Sequence, residues 1–275
     1  MARRPPYANV SRRLVRHDAA SHGVRAVPEE IAVAFTYGSA TFAVMMATPE
    51  DVEDHAVGFS LTEGIVERSS EIEGLEIVAH EHGVEARITI NEKRDAQLLS
   101  RRRMLAGPGG CGLCGIESLE AAVAPARPVK GDHRVDAQTI FAALRALRSG
   151  QRLNETTHAV HGAGFWSVEQ NRLVALREDV GRHNALDKLA GALARTGVAA
   201  ETGFIVLSSR LSIELVQKAA MIGCPMLVAV SAPTNYALRA AETAGMTLVA
   251  VARDDSFEIF THPERIIIAA LDETR

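Results

Sequence analysis

The sequence predicts an α/β protein: a largely parallel sheet covered by helices in its C-terminal half, with a smaller N-terminal portion that contains β-hairpins. Three observations carry this expectation. From residue 204 onward short apolar runs alternate with helical segments, the pattern left by consecutive βαβ units. Residues 32–46 and 75–90 each hold two β-rich runs joined by a few turn residues. The composition, 47% hydrophobic and 23% charged with 21 Gly and 10 Pro in 275 residues, is that of a globular chain and excludes disorder, collagen and coiled coil. Such a length fits one large domain or two modest ones.

Thirty basic and 34 acidic residues give a net charge of −4, which argues against a protein that coats nucleic acid. Six Arg and a single Asp fall within residues 1–27, so that stretch is read as a basic flexible arm. Residues 28–130 form an N-terminal portion ending in a C-x-x-C loop, and residues 131–275 the α/β portion. In order, Ala32–Tyr37 and Thr41–Met46 are expected to pair as a hairpin. Thr48-Pro49-Glu50-Asp51 then supplies an N-cap, a Pro at the first helical position and early acids for a helix to about Val66. Leu75–Ala79 and Val84–Ile90 make a second strand pair, and Asp95–Leu105 a helix. Asp136 caps a helix to Ser149, with Gly150 as its stop.

Strands are read at Thr156–Val160, Gly164–Val168 and Arg172–Leu176. Leu186, Leu189, Ala190 and Leu193 then mark one face of a helix that begins near Val180 and that Asp179 is expected to cap. Phe204–Leu207, Met226–Val230 and Met246–Val251 read as strands, and Leu211–Ile222 and Thr234–Ala244 as the helices between them. Residues 219–238 carry no charge, yet Gly223, Pro225, Pro233 and Asn235 interrupt them, so a membrane span is not expected. The N-terminus has charges without an apolar segment behind them, and three cysteines cannot build a disulfide framework; a cytoplasmic location is expected.

Five stretches carry candidate chemistry. "GGCGLCG" sets Cys111 and Cys114 among glycines, which strip side-chain cover from the sulfurs and admit a partner's active site. A thiolate is the nucleophile of sulfur chemistry, and the cations Arg101–Arg103 shortly before the loop favour that form. Half of a zinc site is the competing reading. It needs a second ligand pair, and neither the lone Cys224 nor the ten His offers one at finger spacing. "LREDVGRHNALDKL" gathers Glu178, Asp179, Arg182, His183, Asn184, Asp187 and Lys188 about a turn into a helix, either an anion site or an ordinary capped helix. "VLSSRLSIEL" and "VAVSAPTNYA" place Ser208, Ser209 and Arg210, and again Ser231 and Thr234, beyond the carboxyl ends of adjacent strands, where open α/β sheets bind ligands. "VARDDS" after the last strand adds Val251, Ala252, Arg253, Asp254, Asp255 and Ser256. No G-x-G-x-x-G or Walker sequence is present.

The motifs "MMATPEDVEDHAVGFSLTEGIV", "GCGLCG", "REDVGRHNALDKL", "SSRLSIELVQKAA" and "VSAPTNYALRAAETAGMTLVAVAR", in that order over about residues 29–267, resemble the formate dehydrogenase accessory sulfurtransferase family, FdhD. The resemblance implies a cytidine-deaminase-like α/β sheet without the zinc of deaminases, and a cytoplasmic homodimer. It implies a persulfide carrier that takes sulfur from a cysteine desulfurase. That sulfur would pass to the molybdenum cofactor, a bis-molybdopterin guanine dinucleotide, before insertion into formate dehydrogenase. Cys111 would carry the sulfur and Cys114 assist, while 251–256 matches the family's cofactor-binding segment and 131–275 becomes the cofactor-binding portion. Members of the family often have a basic residue at the place of Ser256 and an aromatic at that of Ile213. The rivals are a thiol–disulfide oxidoreductase, whose C-x-x-C usually follows a strand directly, and a non-enzymatic zinc or nucleotide-binding module. Cys224, outside the motifs, reads as a small buried apolar residue.

Overall fold

The computed structural model of the protein describes residues 5–105, 125–131 and 133–268; Cys111 and Cys114 lie outside them. Strands β1 (Tyr7–Val15) and β2 (Ala20–Pro28) pair antiparallel, so the basic arm is a hairpin. Its side chains are mostly exposed, as expected of a solvated segment, but Val10, Val15, Val24 and Val27 give it the β-branched content that its arginines mask. Arg25 anchors it by donating to the Thr157 carbonyl (3.3 Å).

The N-terminal unit is a four-stranded sheet in the order β4-β3-β6-β5, made of β3 (Ile31–Tyr37), β4 (Ala40–Ala47), β5 (Ile72–His80) and β6 (Gly83–Ile90). Both hairpins read from the sequence are there, joined edge to edge by the parallel pairing of β3 with β6. Helix α1 (Val52–Thr62) covers this sheet, burying Val52, Ala56 and Phe59 against Ile31, Val33, Phe35 and Ile88. The Phe35 and Phe59 rings stack with centroids 4.3 Å apart. Helix α2 (Glu92–Leu105) follows β6.

In the C-terminal unit, α3 (Ala137–Gly150) starts where Asp136 accepts a hydrogen bond from Gln138 N–H, as read. Residues expected as a strand at 156–160 instead close helix α4 (Arg152–Thr157), because the Glu178 carboxylate accepts from Leu153 and Asn154 N–H (2.9 Å each) and caps its first turn. There follow β8 (His161–Ser167), β9 (Arg172–Asp179), α5 (Arg182–Thr196), β10 (Gly203–Leu207), α6 (Ile213–Met221), β11 (Met226–Ala229), α7 (Asn235–Ala244), β12 (Thr247–Ala250) and β13 (Glu258–Ile259). They form one sheet in the order β13-β12-β11-β10-β8-β9. Only the β10–β11 and β11–β12 pairings are parallel; β8 and β13 run against these strands and β9 pairs antiparallel with β8, so the sheet is mixed where a largely parallel one was expected. A tight turn at 168–171 joins β8 to β9 and leaves no crossover helix between them, which fixes the antiparallel sense. Short β7 (Val135–Asp136) and β14 (Ile266–Ile267) pair in parallel beside α3.

Both faces of this sheet are covered, which explains its continuous apolar runs. Ile205 and Leu207 face α5, α6 and α7 through Leu186, Leu189, Leu215 and Ala241, while Phe204 and Val206 face α3 through Ile140, Leu144 and Leu147. The two units meet where α1 crosses α5. A Cβ on Gly58 would stand 1.7 Å from the Asp187 carbonyl oxygen, and one on Gly191 1.8 Å from that of Asp54, so the helices touch backbone to backbone. Gly58→Ala or Gly191→Ala is therefore expected to force the helices apart and cost about 1–3 kcal/mol. Urea unfolding checks this: a lowered midpoint is expected, and a wild-type midpoint in both variants would contradict the close crossing.

Candidate functional site

The parallel strands end at Leu207, Ala229 and Ala250, and the backbone beyond them is laced into one edge. Val230 N–H donates to the Leu207 carbonyl (3.0 Å), Ala252 N–H to that of Ala229 (3.1 Å), Val251 N–H to that of Ser231 (3.3 Å) and Leu211 N–H to that of Ala232 (3.3 Å). Val251 makes this turn at φ 53°, in a region that β-branched residues rarely enter. The three segments expected at strand ends thus share one edge. Ser208, Ala252 and Arg253 line the same cavity, of about 250 Å³, together with Val230, Arg148 and Asn154. Ser208 joins this edge to β8: its hydroxyl accepts from Gly162 N–H (2.8 Å) and its N–H donates to the Gly162 carbonyl (3.0 Å).

The other predicted residues sort by what already holds them. The Arg253 guanidinium donates to the carbonyls of Val230 and Ala252, and its N–H closes a turn on the Ser256 carbonyl (2.7 Å). Asp254 pairs with Arg148 at 2.8 Å on the surface, and that guanidinium holds its carboxyl below the usual range. Asp255 accepts from the Ser256 hydroxyl (3.1 Å). Ser209 is buried, with its hydroxyl turned to the Arg210 carbonyl, while Arg210 is exposed. Thr234 caps α7 by accepting from Ala237 N–H. Sequence reasoning missed Arg148 and Asn154. The apolar spacing of Leu144 and Leu147, which seats the end of α3 on the sheet, was the signal that could have placed them.

The polar set of 178–188 divides differently. Asp179, wholly buried, does not cap α5; Gly181 holds that position without a side-chain bond. Its carboxylate instead accepts from Thr48 N–H (3.0 Å), Thr48 Oγ1 (2.9 Å), Gly181 N–H (2.8 Å) and Asn184 Nδ2 (3.0 Å), and pairs with Lys188 Nζ at 2.7 Å. Thr48 is accordingly not the cap of α1, which begins after Asp51. Burial pushes the Asp179 carboxyl up, but the Lys188 charge and the hydrogen bonds prevail and hold it below the usual range. Asp187 and Glu63 enclose Lys218 Nζ at 3.0 and 2.7 Å, and Asp54 receives Arg177 and Arg195. This web crosses the α1–α5 seam and is structural.

His55 lies within the seam, edge-on to Phe35, and neither ring nitrogen has a hydrogen-bond partner. Burial first, then the Lys188 charge, push its pKa down to about 3. Cys224 is wholly buried and donates to the Met226 carbonyl (3.3 Å), and burial pushes its thiol up to about 12, as its reading as an inert apolar residue requires. His262 and Glu264 are within 3.3 Å of each other. No helix among the described residues is long and apolar enough to cross a membrane.

The sequence model of the FdhD/NarQ family matches residues 28–267. A sulfur carrier protein FdhD of Agrobacterium fabrum is 51% identical over 263 residues, covering 95% of this chain and 97% of its own. One of Brucella abortus is 52% identical over 244 residues, 88% of this chain and 90% of its own. A crystal structure of a proposed formate dehydrogenase accessory protein from Desulfotalea psychrophila superposes with a TM-score of 0.74 at 25% identity, covering 96% of this chain and 100% of that one.

Proposed function

The chain belongs to the FdhD/NarQ family, and from that membership we propose that it is a sulfur carrier serving formate dehydrogenase. In this reading the Cys111 thiolate attacks the terminal sulfur of a persulfide on a cysteine desulfurase. An S–S bond forms on Cys111, the desulfurase thiolate leaves, and Cys114 assists delivery. The recipient is the molybdenum cofactor, a bis-molybdopterin guanine dinucleotide, held as substrate before it enters formate dehydrogenase. The protein works as a cytoplasmic homodimer. The observation that supports this reading is the meeting of Ser208, Ala252 and Arg253 around one cavity at the carboxyl edge of β10 and β12, where the guanidinium groups of Arg148 and Arg253 suit a phosphorylated ligand. At about 250 Å³ the cavity falls short of the ~300–1,000 Å³ of whole-ligand pockets and suits one end of a dinucleotide.

Two experiments test it. Intact-protein mass spectrometry after incubation with a cysteine desulfurase and cysteine is expected to show one added sulfur per chain, removed by reductant; an unchanged mass refutes the carrier. GDP is expected to bind more tightly than ADP, because Asp254 or Asp255 accepts from the N1 and N2 donors of guanine, which adenine lacks. The exposed Arg148–Asp254 pair contributes little and exchanges readily. Hydrogen bonds to a charged acceptor are worth about 1.5–3 kcal/mol, so the preference is roughly tenfold or more. Calorimetric titration decides: equal affinities, or an undiminished preference in Asp254→Ala/Asp255→Ala, removes the base-reading role.

A further inference from the structure

The N-terminal hairpin is tied to the body only near its root. Beyond the bond from Arg25 to Thr157, no hydrogen bond or ion pair among the described residues joins residues 11–24 to the rest of the chain. A two-stranded hairpin alone is marginally stable in water, so nine cross-strand pairs held at one end ask for a surface to lie on. At about 3.3 Å per residue the arm reaches roughly 30 Å, enough to cross onto another molecule.

The register of the hairpin sorts its side chains. Opposed residues and alternate residues share a face, so Tyr7, Val15 and Val24 stand on one face and Arg25 on the other. Arg25 turns its face toward Thr157 of its own chain and leaves the apolar stripe turned away. Val15 and Val24 are accordingly 71% and 63% exposed. A matching patch stands on β4, where Val44 and Met46, two residues apart and so on one face, are 58% and 51% exposed on a strand without a charge. β4 is an edge of its sheet, and an exposed apolar edge invites another chain. This patch lies beside the root of the arm, because Ala47 pairs with Ile31 where the arm enters β3.

Charge names the occupant. Residues 1–27 hold six Arg and one Asp, whereas the rest of the chain holds 24 basic and 33 acidic residues. Two arms therefore repel, while an arm and a body attract. Arg13 is exposed on the stripe face of the arm, and Glu30 and Glu50 are exposed beside the β4 patch. We propose that two copies of the chain exchange arms about a twofold axis, the stripe of Tyr7, Val15 and Val24 in each lying on Val44 and Met46 of the other. The exchange names the joint of the homodimer in the proposed function and rests on that reading for its second copy.

Sedimentation equilibrium of the full chain tests it. The wild type is expected to be a dimer that added salt loosens. Val15→Glu/Val24→Glu and, separately, Val44→Glu/Met46→Glu are each expected to weaken the dimer about tenfold or more, because each sets carboxylates where apolar contacts stood. Thermal unfolding establishes that both variants are folded. Val15→Glu/Val24→Glu combined with Val44→Lys/Met46→Lys in one chain is expected to recover the dimer, since a twofold axis brings each pair of changes against the other. A dimer unmoved in both double variants overturns the exchange and leaves the homodimer to form elsewhere. Weakening in the arm variant alone overturns the β4 patch as the seat of the arm. A monomeric wild type overturns the exchange and the homodimer together, and retention of that monomer on RNA or on anionic vesicles gives the arm a different occupant.

Discussion

Cys111→Ala is expected to take up no sulfur from a cysteine desulfurase and to leave formate dehydrogenase inactive. The expectation is all-or-none because a persulfide needs a sulfur to grow on, and Cys224 is closed to one. Cys224 has no exposed surface and a thiol pushed up to about 12, so at neutral pH it is neither a thiolate nor within reach of a donor's active site. Cys114 can receive sulfur only if it attacks in place of Cys111, and the mass of the Cys111→Ala protein reports that directly. Wild-type loading by that variant would remove the assignment of the carrier to Cys111. Cys224→Ala, by contrast, is expected to load like wild type, at the cost of a small cavity among Ala219, Leu227 and Met246.

Lys188→Met is expected to lose about 3–5 kcal/mol of stability, a large share of the ~5–15 kcal/mol that folded proteins possess. Neither Lys188 nor Asp179 has any exposed side-chain surface, so removing the ammonium strands a carboxylate where water cannot reach it. Asp179 keeps its bonds from Thr48, Gly181 and Asn184, which limit the damage without replacing the charge. Urea unfolding measures the loss; a shift of less than about 1 kcal/mol would show that those neutral donors suffice.

The pH dependence has a definite sign. Asp179 has its folded pKa held below the unfolded value, so its contribution is present above the usual carboxylate range and is lost as pH falls through the folded value. His55 is neutral in the fold at about 3 against an ordinary 6.5, so the unfolded chain binds the extra proton in between. Wild-type stability should therefore be full above about pH 6.5 and decline steadily as acid is added toward about pH 3. An unfolding midpoint that stays constant from about pH 7.5 to pH 5 would contradict the buried neutral histidine.

What the sequence disclosed was mostly local. Asp136 was legible as a helix cap because a cap and the N–H that donates to it lie within three residues. The strand ends that assemble the cavity were legible because apolar runs ending in Ser or Pro announce them. Thr48 and Asp179 carry the same local signature and were misread for the same reason: their true partners are each other, 131 residues apart. Thr156 and Thr157 look like strand residues until Glu178, arriving from β9, caps the turn before them. The arginines of the first 27 residues hid a hairpin, and the missing crossover between β8 and β9 hid the mixed sense of the sheet. Arg148 and Asn154 enter the cavity from the far side of the sheet, which no motif at the strand ends reveals.

The contact of α1 with α5 also sets an order on how the chain can be made. Thr62 bonds Asp187 across 125 residues of sequence, and Asn184 reaches the Met46 carbonyl across 138. While the ribosome is still extending the chain, α1 has its sheet but not its second helix, and Asp54, His55 and Gly58 face water. The first unit cannot bury that face until most of the second has emerged, and a loop this long closes slowly. A chain stopped short of α5 therefore presents a complete four-stranded sheet with an unfinished helical side, the form that proteases and chaperones would meet.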